Sequence, residues 1–273
     1  MRRAERALPL RHAVALGLLQ GPTELLPISS SAHTALLPWL LHWPYAELDG
    51  EERKSFELAL HAGAGAALML QMRAQLEQLA GELDGERTLS LALAVAPAAL
   101  AGLTLRGGIE RHLGGPRTIA AALIAGAGAM AAADARGAAQ ARTRGQARPA
   151  DGLALGLAQA LALIPGVSRS GATLAVARAR GFDRAAASSL SWEAALPVIL
   201  GATLLELARL ARGRAAVQEP GPLAVGAITA FCSTLASARV LRRDGYGDRA
   251  LLPYSLYRCL LAALVLGRLR RAQ

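Results

Sequence analysis

Gln20-Gly21-Pro22-Thr23-Glu24-Leu25-Leu26-Pro27-Ile28-Ser29-Ser30-Ser31-Ala32-His33 is a polar island in otherwise apolar sequence. It holds a carboxylate, an amide, three consecutive hydroxyls and an imidazole. An ionised side chain at the centre of a bilayer costs roughly 2.5–3.5 kcal/mol even on the mildest scale. If the flanks lie in lipid, stability alone does not keep Glu24 there. Pro22 and Pro27 break helices, so the backbone turns, and a turn inside a membrane is tolerated only against protein or water. Ser29 or Ser30, just after Pro27, is an N-cap candidate for a short following helix. On that helix Ser30 and His33 are three apart and therefore neighbours. A hydroxyl beside an imidazole is the minimum for an activated nucleophile.

The flanks point to lipid. Of 273 residues, 53% are hydrophobic and 18% charged, against about 25% charged in soluble domains. That composition excludes a disordered chain and disfavours both an ordinary soluble enzyme and a soluble Ala-rich bundle, which would have little polar surface. The net charge is +10, and every base except Lys54 is Arg. These arginines cluster between apolar stretches, as membrane-flanking charge does. With aromatics at only 4%, base-stacking platforms are excluded, and no nucleic-acid partner is expected. Charge-free runs cover residues 25–46, 58–72, 88–105, 118–133, 152–168, 194–205 and 220–238, and 250–267 carries only Arg258. Runs 88–105 and 220–238 meet the roughly 17-residue minimum for a spanning helix. The other runs are short or interrupted by Pro and Gly, the mark of re-entrant helices. Cys232 and Cys259 are read as small buried hydrophobes, not as a disulfide or metal pair. The basic N-terminus runs into a polar motif, so no cleavable signal peptide is expected. The expectation is an all-α integral membrane protein: a multi-pass helical bundle with broken, re-entrant helices. The basic segment 134–151 is expected to face the cytoplasm, and the acidic segment 73–87 the other side.

The chain also echoes itself. Ala15-Leu16-Gly17-Leu18-Leu19-Gln20 returns as Ala154-Leu155-Gly156-Leu157-Ala158-Gln159. Leu26-Pro27-Ile28-Ser29-Ser30 is matched to Ile164-Pro165-Gly166-Val167-Ser168, and Phe56-Glu57 to Trp192-Glu193. Three echoes in one order indicate two repeats, about 12–133 and 152–267, joined by a linker at 134–151 within one membrane domain. Such repeats are often inverted, with the binding site between them.

The second repeat has its own island, Pro165-Gly166-Val167-Ser168-Arg169-Ser170-Gly171-Ala172-Thr173. Its glycines permit close backbone approach and unusual dihedrals. Ser168 can cap the next helix, whose free N–H groups form an anion site. Arg169 adds a fork matched to phosphate oxygens. A cation with hydroxyls and free N–H groups, and no carboxylate in the same segment, suits an anionic ligand.

Taken together, these motifs resemble the bacitracin-resistance undecaprenyl-diphosphatase family. The resemblance rests on Gln20 and Glu24, then Pro27, Ser29, Ser30 and His33, and then Pro165 to Thr173 in full. It implies removal of the terminal phosphate of undecaprenyl diphosphate by a multi-pass enzyme of the bacterial inner membrane. The lipid carrier for cell-wall precursors would thereby be recycled. Ser30 is then the candidate nucleophile, His33 the acid/base or phosphate contact, Glu24 the base or metal ligand, and Arg169 the diphosphate clamp. Gln20, Ser29, Ser168, Ser170 and Thr173 would contact substrate. The resemblance further implies a divalent cation, Mg2+ or Ca2+. Gln20 takes the neutral option at its position and offers such a cation only an amide carbonyl. His61 stands where Gln is common, and Glu193 falls in a stretch that is usually apolar. Membrane lipids are expected partners, and a homodimer is compatible with the reading. The rival is a transporter or flippase for a lipid phosphate, since inverted repeats around a midplane anion site are also transporter architecture.

Overall fold

Helix is the regular structure of every described element, apart from an isolated bridge between Arg142 and Phe182. The computed structural model describes residues 8–48, 50–136, 141–211, 220–243 and 249–271. In order come α1 (Leu10–Leu25), α2 (Ser30–Leu40), α3 (Gly50–Gln71), α4 (Arg73–Gly81), α5 (Gly85–Thr104) and α6 (Arg106–Leu113). They are followed by α7 (Pro116–Arg136), α8 (Pro149–Leu161), α9 (Arg169–Ala179), α10 (Arg184–Ala211), α11 (Pro220–Arg243) and α12 (Leu252–Arg271).

Among the described residues, five helices are long and apolar enough to cross a membrane: α5, α7, α12, Arg184–Leu205 of α10 and Pro220–Leu241 of α11. Charge-free runs identify only α5 and α11. The other three spans run through Asp134, Glu193 and Arg258, and each of these has hydrogen-bond partners in the fold. A partnered charge does not end a helix. Burial is reversed relative to a soluble protein. Leu100, Leu103, Leu260 and Leu264 are 65–68% exposed, whereas Gln20, Thr173 and Arg258 are fully buried. An apolar exterior of this extent needs an apolar solvent. The chain is an all-α, multi-pass membrane protein. The same reversal corrects the reading of the cysteines. Cys232 and Cys259 are free and exposed on the outer faces of α11 and α12, because a small apolar side chain there meets lipid and has no need of a core.

The chain divides into two compact units, neither of which is one half of the sequence. Unit 1 comprises Met1–Leu25, His33–Arg73 and Ile199–Arg242; unit 2 comprises Leu26–Ala32, Ala74–Val198 and Arg243–Gln273. In unit 1, α1 and α3 pack on α11 through small residues. A Cβ on Gly63 would lie 2.1 Å from the Ala227 carbonyl, and one on Gly21 would lie 2.4 Å from Ser233 Oγ. Gly21, inside the first polar island, is therefore a packing residue. Leu16, Tyr45, Phe56, Leu60 and Ala230 form the unit's core.

In unit 2, α8 fits against α5 where Gly152 and Gly156 meet the carbonyls of Ser90 and Leu93; a Cβ on either would come within 2.2 Å. Close approach through glycine is the usual way helices pack in lipid. α8 has 13 residues and α9 has 11. At 1.5 Å per residue they reach about 20 and 17 Å, short of a hydrocarbon core of roughly 30 Å. They pack as a hairpin whose ends are joined by an ion pair from Arg180 to Asp151. The expectation of broken, returning helices is met here.

Candidate active site

The tips between α1 and α2 and between α8 and α9 share one local design. Among the described residues only Ser29, His42 and Ser168 are non-glycine residues with positive φ, and two of these are the tip serines, at 74° and 70°. Such dihedrals cost on the order of 1–3 kcal/mol and persist where the surroundings impose them. Ser29 Oγ accepts from Ala32 N at 3.3 Å, and Ser168 Oγ accepts from Gly171 N at 3.2 Å. Each therefore caps the helix that starts one residue later. Each also contacts the serine two residues on: Ser29 with Ser31 at 3.2 Å, Ser168 with Ser170 at 3.3 Å.

This geometry corrects the pairing of the two tips by one residue. Matching the prolines sets Ser30 opposite Ser168, but the backbone sets Ser29 opposite Ser168. The corrected interval is the one that separates Gln20 from Gln159. Ser30 and Arg169, the candidate nucleophile and the candidate clamp, then occupy the same place: the first residue of a helix after a strained serine cap.

Both tips belong to unit 2. Ser170 Oγ donates to the Leu26 carbonyl at 3.4 Å. The Arg258 guanidinium donates to Pro27 of the first tip and to Gly166 and Val167 of the second. Arg169 is half-buried, with its guanidinium carbon 5.5 Å from the centre of the Trp192 ring, within range of a cation–π contact. Thr173 is fully buried; its hydroxyl donates to the Arg169 carbonyl at 2.9 Å and lies 2.6 Å from Ser191 Oγ. Ser29, Ser168 and Ser170 are buried as well, while Ser30 is half-buried.

Gln20, Glu24 and His33 belong to unit 1. Gln20 Nε2 donates to Glu24 at 3.2 Å and lies 3.1 Å from His61 Nδ1, which is 3.7 Å from the same carboxylate. Gln20 Oε1 is buried without a hydrogen-bond partner, and Gln159 Oε1 on α8 is in the same state. A carboxylate and a buried carbonyl oxygen without a partner are both oxygen ligands of the kind a hard cation takes. Among the described residues no three His, Cys, Asp or Glu side chains gather to hold a metal. Glu24 and Gln20 Oε1 would thus supply two ligands, leaving the rest to water and phosphate, as is usual for Mg2+. His33 is buried on α2, three residues after Ser30.

Residues 13–264 match the family described as bacitracin resistance protein BacA. The chain belongs to that family. The undecaprenyl-diphosphatase of Geobacter sulfurreducens is 38% identical, the alignment covering 95% of this chain and 98% of that protein. Those of Geobacter metallireducens and Alcanivorax borkumensis are 36% and 35% identical, each covering 93% of this chain and at least 96% of the relative.

The structure gives reasons for residues the sequence left unexplained. Glu193 receives an ion pair from Arg144, and Arg144 also reaches Glu82 at 2.7 Å. Glu82 in turn pairs with Arg87. Hydrogen bonds from Arg144, Gln78 and Arg87 hold its carboxyl down at about 2. The basic segment is thereby fastened to α10. Asp151, at the start of α8, is pushed up by burial, but hydrogen bonds from Arg142, Arg180 and the Arg148 N–H outweigh this and hold it at about 2. Arg258, Trp192 and Ser191 are site neighbours that sequence reading missed. The one usable signal was Arg258, a single charge in an otherwise apolar run.

Proposed function

We propose that this chain hydrolyses undecaprenyl diphosphate to undecaprenyl phosphate and phosphate in the bacterial inner membrane, recycling the lipid carrier. The observation that carries the reading is the twin tip. Two strained serine caps present two helix starts, one led by a hydroxyl (Ser30) and the other by a guanidinium (Arg169). Helix starts attract phosphate, and Arg binds it as a fork. The names of the relatives supply the lipid.

In this reading Arg169 and the first N–H groups of α9 hold the terminal phosphoryl group, with Trp192 backing the guanidinium. Ser30 Oγ attacks the terminal phosphorus in line. Its proton passes to His33, three residues on along α2, and the bond from phosphorus to the bridging oxygen breaks. Undecaprenyl phosphate leaves with the bonding electrons. Water then attacks the phosphoserine, releasing phosphate and restoring Ser30. Such reactions are catalysed mainly by positioning and by stabilising charge. A divalent cation held by Glu24 and Gln20 Oε1 would neutralise phosphate charge.

The test is phosphate release from undecaprenyl diphosphate by the purified chain in detergent, with and without chelator. Release is expected from the wild type. Arg169→Lys is expected to lose most activity, since lysine lacks the fork. Ser30→Ala at wild-type rate would transfer the attack to water activated by Glu24. A transporter would release no phosphate while moving lipid phosphate in liposomes, and that result would reject hydrolysis.

A further inference from the structure

Arg258 has no role in the chemistry above, yet its surroundings are unusual. It sits in a run that is otherwise free of charge and is fully buried. Its Nη2 donates to the carbonyls of Gly166 at 2.8 Å and Val167 at 2.9 Å, with Ala122 at 3.4 Å. Its Nη1 reaches the Pro27 carbonyl at 3.4 Å and Met130 Sδ at 3.3 Å. Three of these carbonyls belong to the two tips, where no helix consumes them. Two glycines clear its seat: a Cβ on Gly126 would lie 2.1 Å from Nη2, and one on Gly171 would lie 2.7 Å from Nη1. Gly171 is part of the second island, so the arginine gives that motif glycine its reason.

The same unit contains a contrasting case. Arg178 is also buried, and it is paired with a carboxylate, Asp134, at 3.0 Å. That is how this fold neutralises a structural arginine. For Arg258, no ion pair is found among the described residues, and its Nε is buried without a partner. Its donors are met by carbonyls and by the Met130 sulfur, beside two helix starts.

We propose that Arg258 is a positioning residue of the hydrolysis. Its guanidinium clamps the Pro27 turn to the Gly166–Val167 turn, fixing Ser30 against Arg169. This rests on the function proposed above. Lysine keeps the charge but concentrates its donors on one nitrogen, so it cannot bridge both turns.

The test compares wild type, Arg258→Met, Arg258→Lys and Gly126→Ala as purified full-length chains. The last variant crowds the guanidinium without altering α12. Phosphate release is measured across substrate concentrations, together with thermal melting and deuterium exchange read peptide by peptide. Misplacing a reacting group by about 1 Å can cost on the order of 100-fold, so kcat of Arg258→Met is expected to fall by about that much, with KM changed far less. Arg258→Lys should recover part of the loss. Exchange should rise over residues 26–32 and 164–171 and stay unchanged in α5. A kcat within twofold of wild type in Arg258→Lys and Gly126→Ala would overturn the proposal. So would exchange rising uniformly through unit 2, the behaviour of a purely structural arginine. If Arg258→Met fails to fold, the other two variants decide. Should the wild type release no phosphate, the function reading fails, and the exchange pattern alone still judges whether Arg258 clamps the tips.

Discussion

Replacing Ser168 by glycine and, separately, by alanine isolates the strain at the second tip. Both changes remove the hydroxyl, and with it the cap on Gly171 N at 3.2 Å and the contact with Ser170. They differ in backbone. At ordinary positions inside regular structure glycine is worse than alanine by roughly 0.5–1 kcal/mol, because it orders a freer chain. Ser168 has φ 70° and ψ 118°, a region that costs a residue with a Cβ about 1–3 kcal/mol. Glycine escapes that cost and keeps most of the N-cap preference, losing only a few tenths. The expected order is therefore inverted, with Ser168→Gly more stable than Ser168→Ala by about 1–2 kcal/mol. For a chain of this size 1 kcal/mol moves the melting point by about 2–4 °C, so the two variants should differ by several degrees. Thermal melting of the purified proteins in one detergent measures it. Phosphate release should fall in both, because the hydroxyl is missing from both. Ser168→Gly melting at or below Ser168→Ala would refute the strain. Full activity in Ser168→Gly would refute a role for the Ser168 hydroxyl at the site.

The same contrast at Ser29, with φ 74°, should show the same inversion, again read by melting. Gly152→Ala should force α8 from α5, since the new Cβ would meet the Ser90 carbonyl at 2.2 Å; overpacking of this kind costs roughly 1–3 kcal/mol, measurable as a lower melting temperature. Asp151 has its folded carboxyl held at about 2, below its ordinary value of 3.8. Its contribution, on the order of 2 kcal/mol, is present above pH 3.8 and lost as pH falls toward 2. Asp151→Asn should therefore melt well below wild type at pH 7, and the gap should close on acidification through that window.

The membrane class was legible because it depends on composition summed over long windows, and the tips were legible because Pro, Gly and Ser break helices for local reasons. The count of spans was not, since Asp134, Glu193 and Arg258 carry charge whose partners are distant in sequence. Arg178 reaches Asp134 across 44 residues and Arg144 reaches Glu193 across 49; no local pattern reveals either pairing. The pairing of the tips slipped by one residue for a different reason. Proline is conspicuous in a sequence, whereas a positive φ is not, and it is the φ that sets Ser29 opposite Ser168.

That one-residue shift changes what the two tips have in common. Under the proline pairing both offer serines and the arginine is an addition. Under the backbone pairing they share a strained cap, a first helical residue and a second serine, and differ in what the first helical residue is: Ser30 in one, Arg169 in the other. Leu26–Ala32 parts from α1 and from the chain after His33, both of which belong to unit 1, and joins unit 2, where the second tip lies. Gathering both tips in one unit, under one buried arginine, is what two like turns require if a hydroxyl and a guanidinium are to act on a single phosphoryl group.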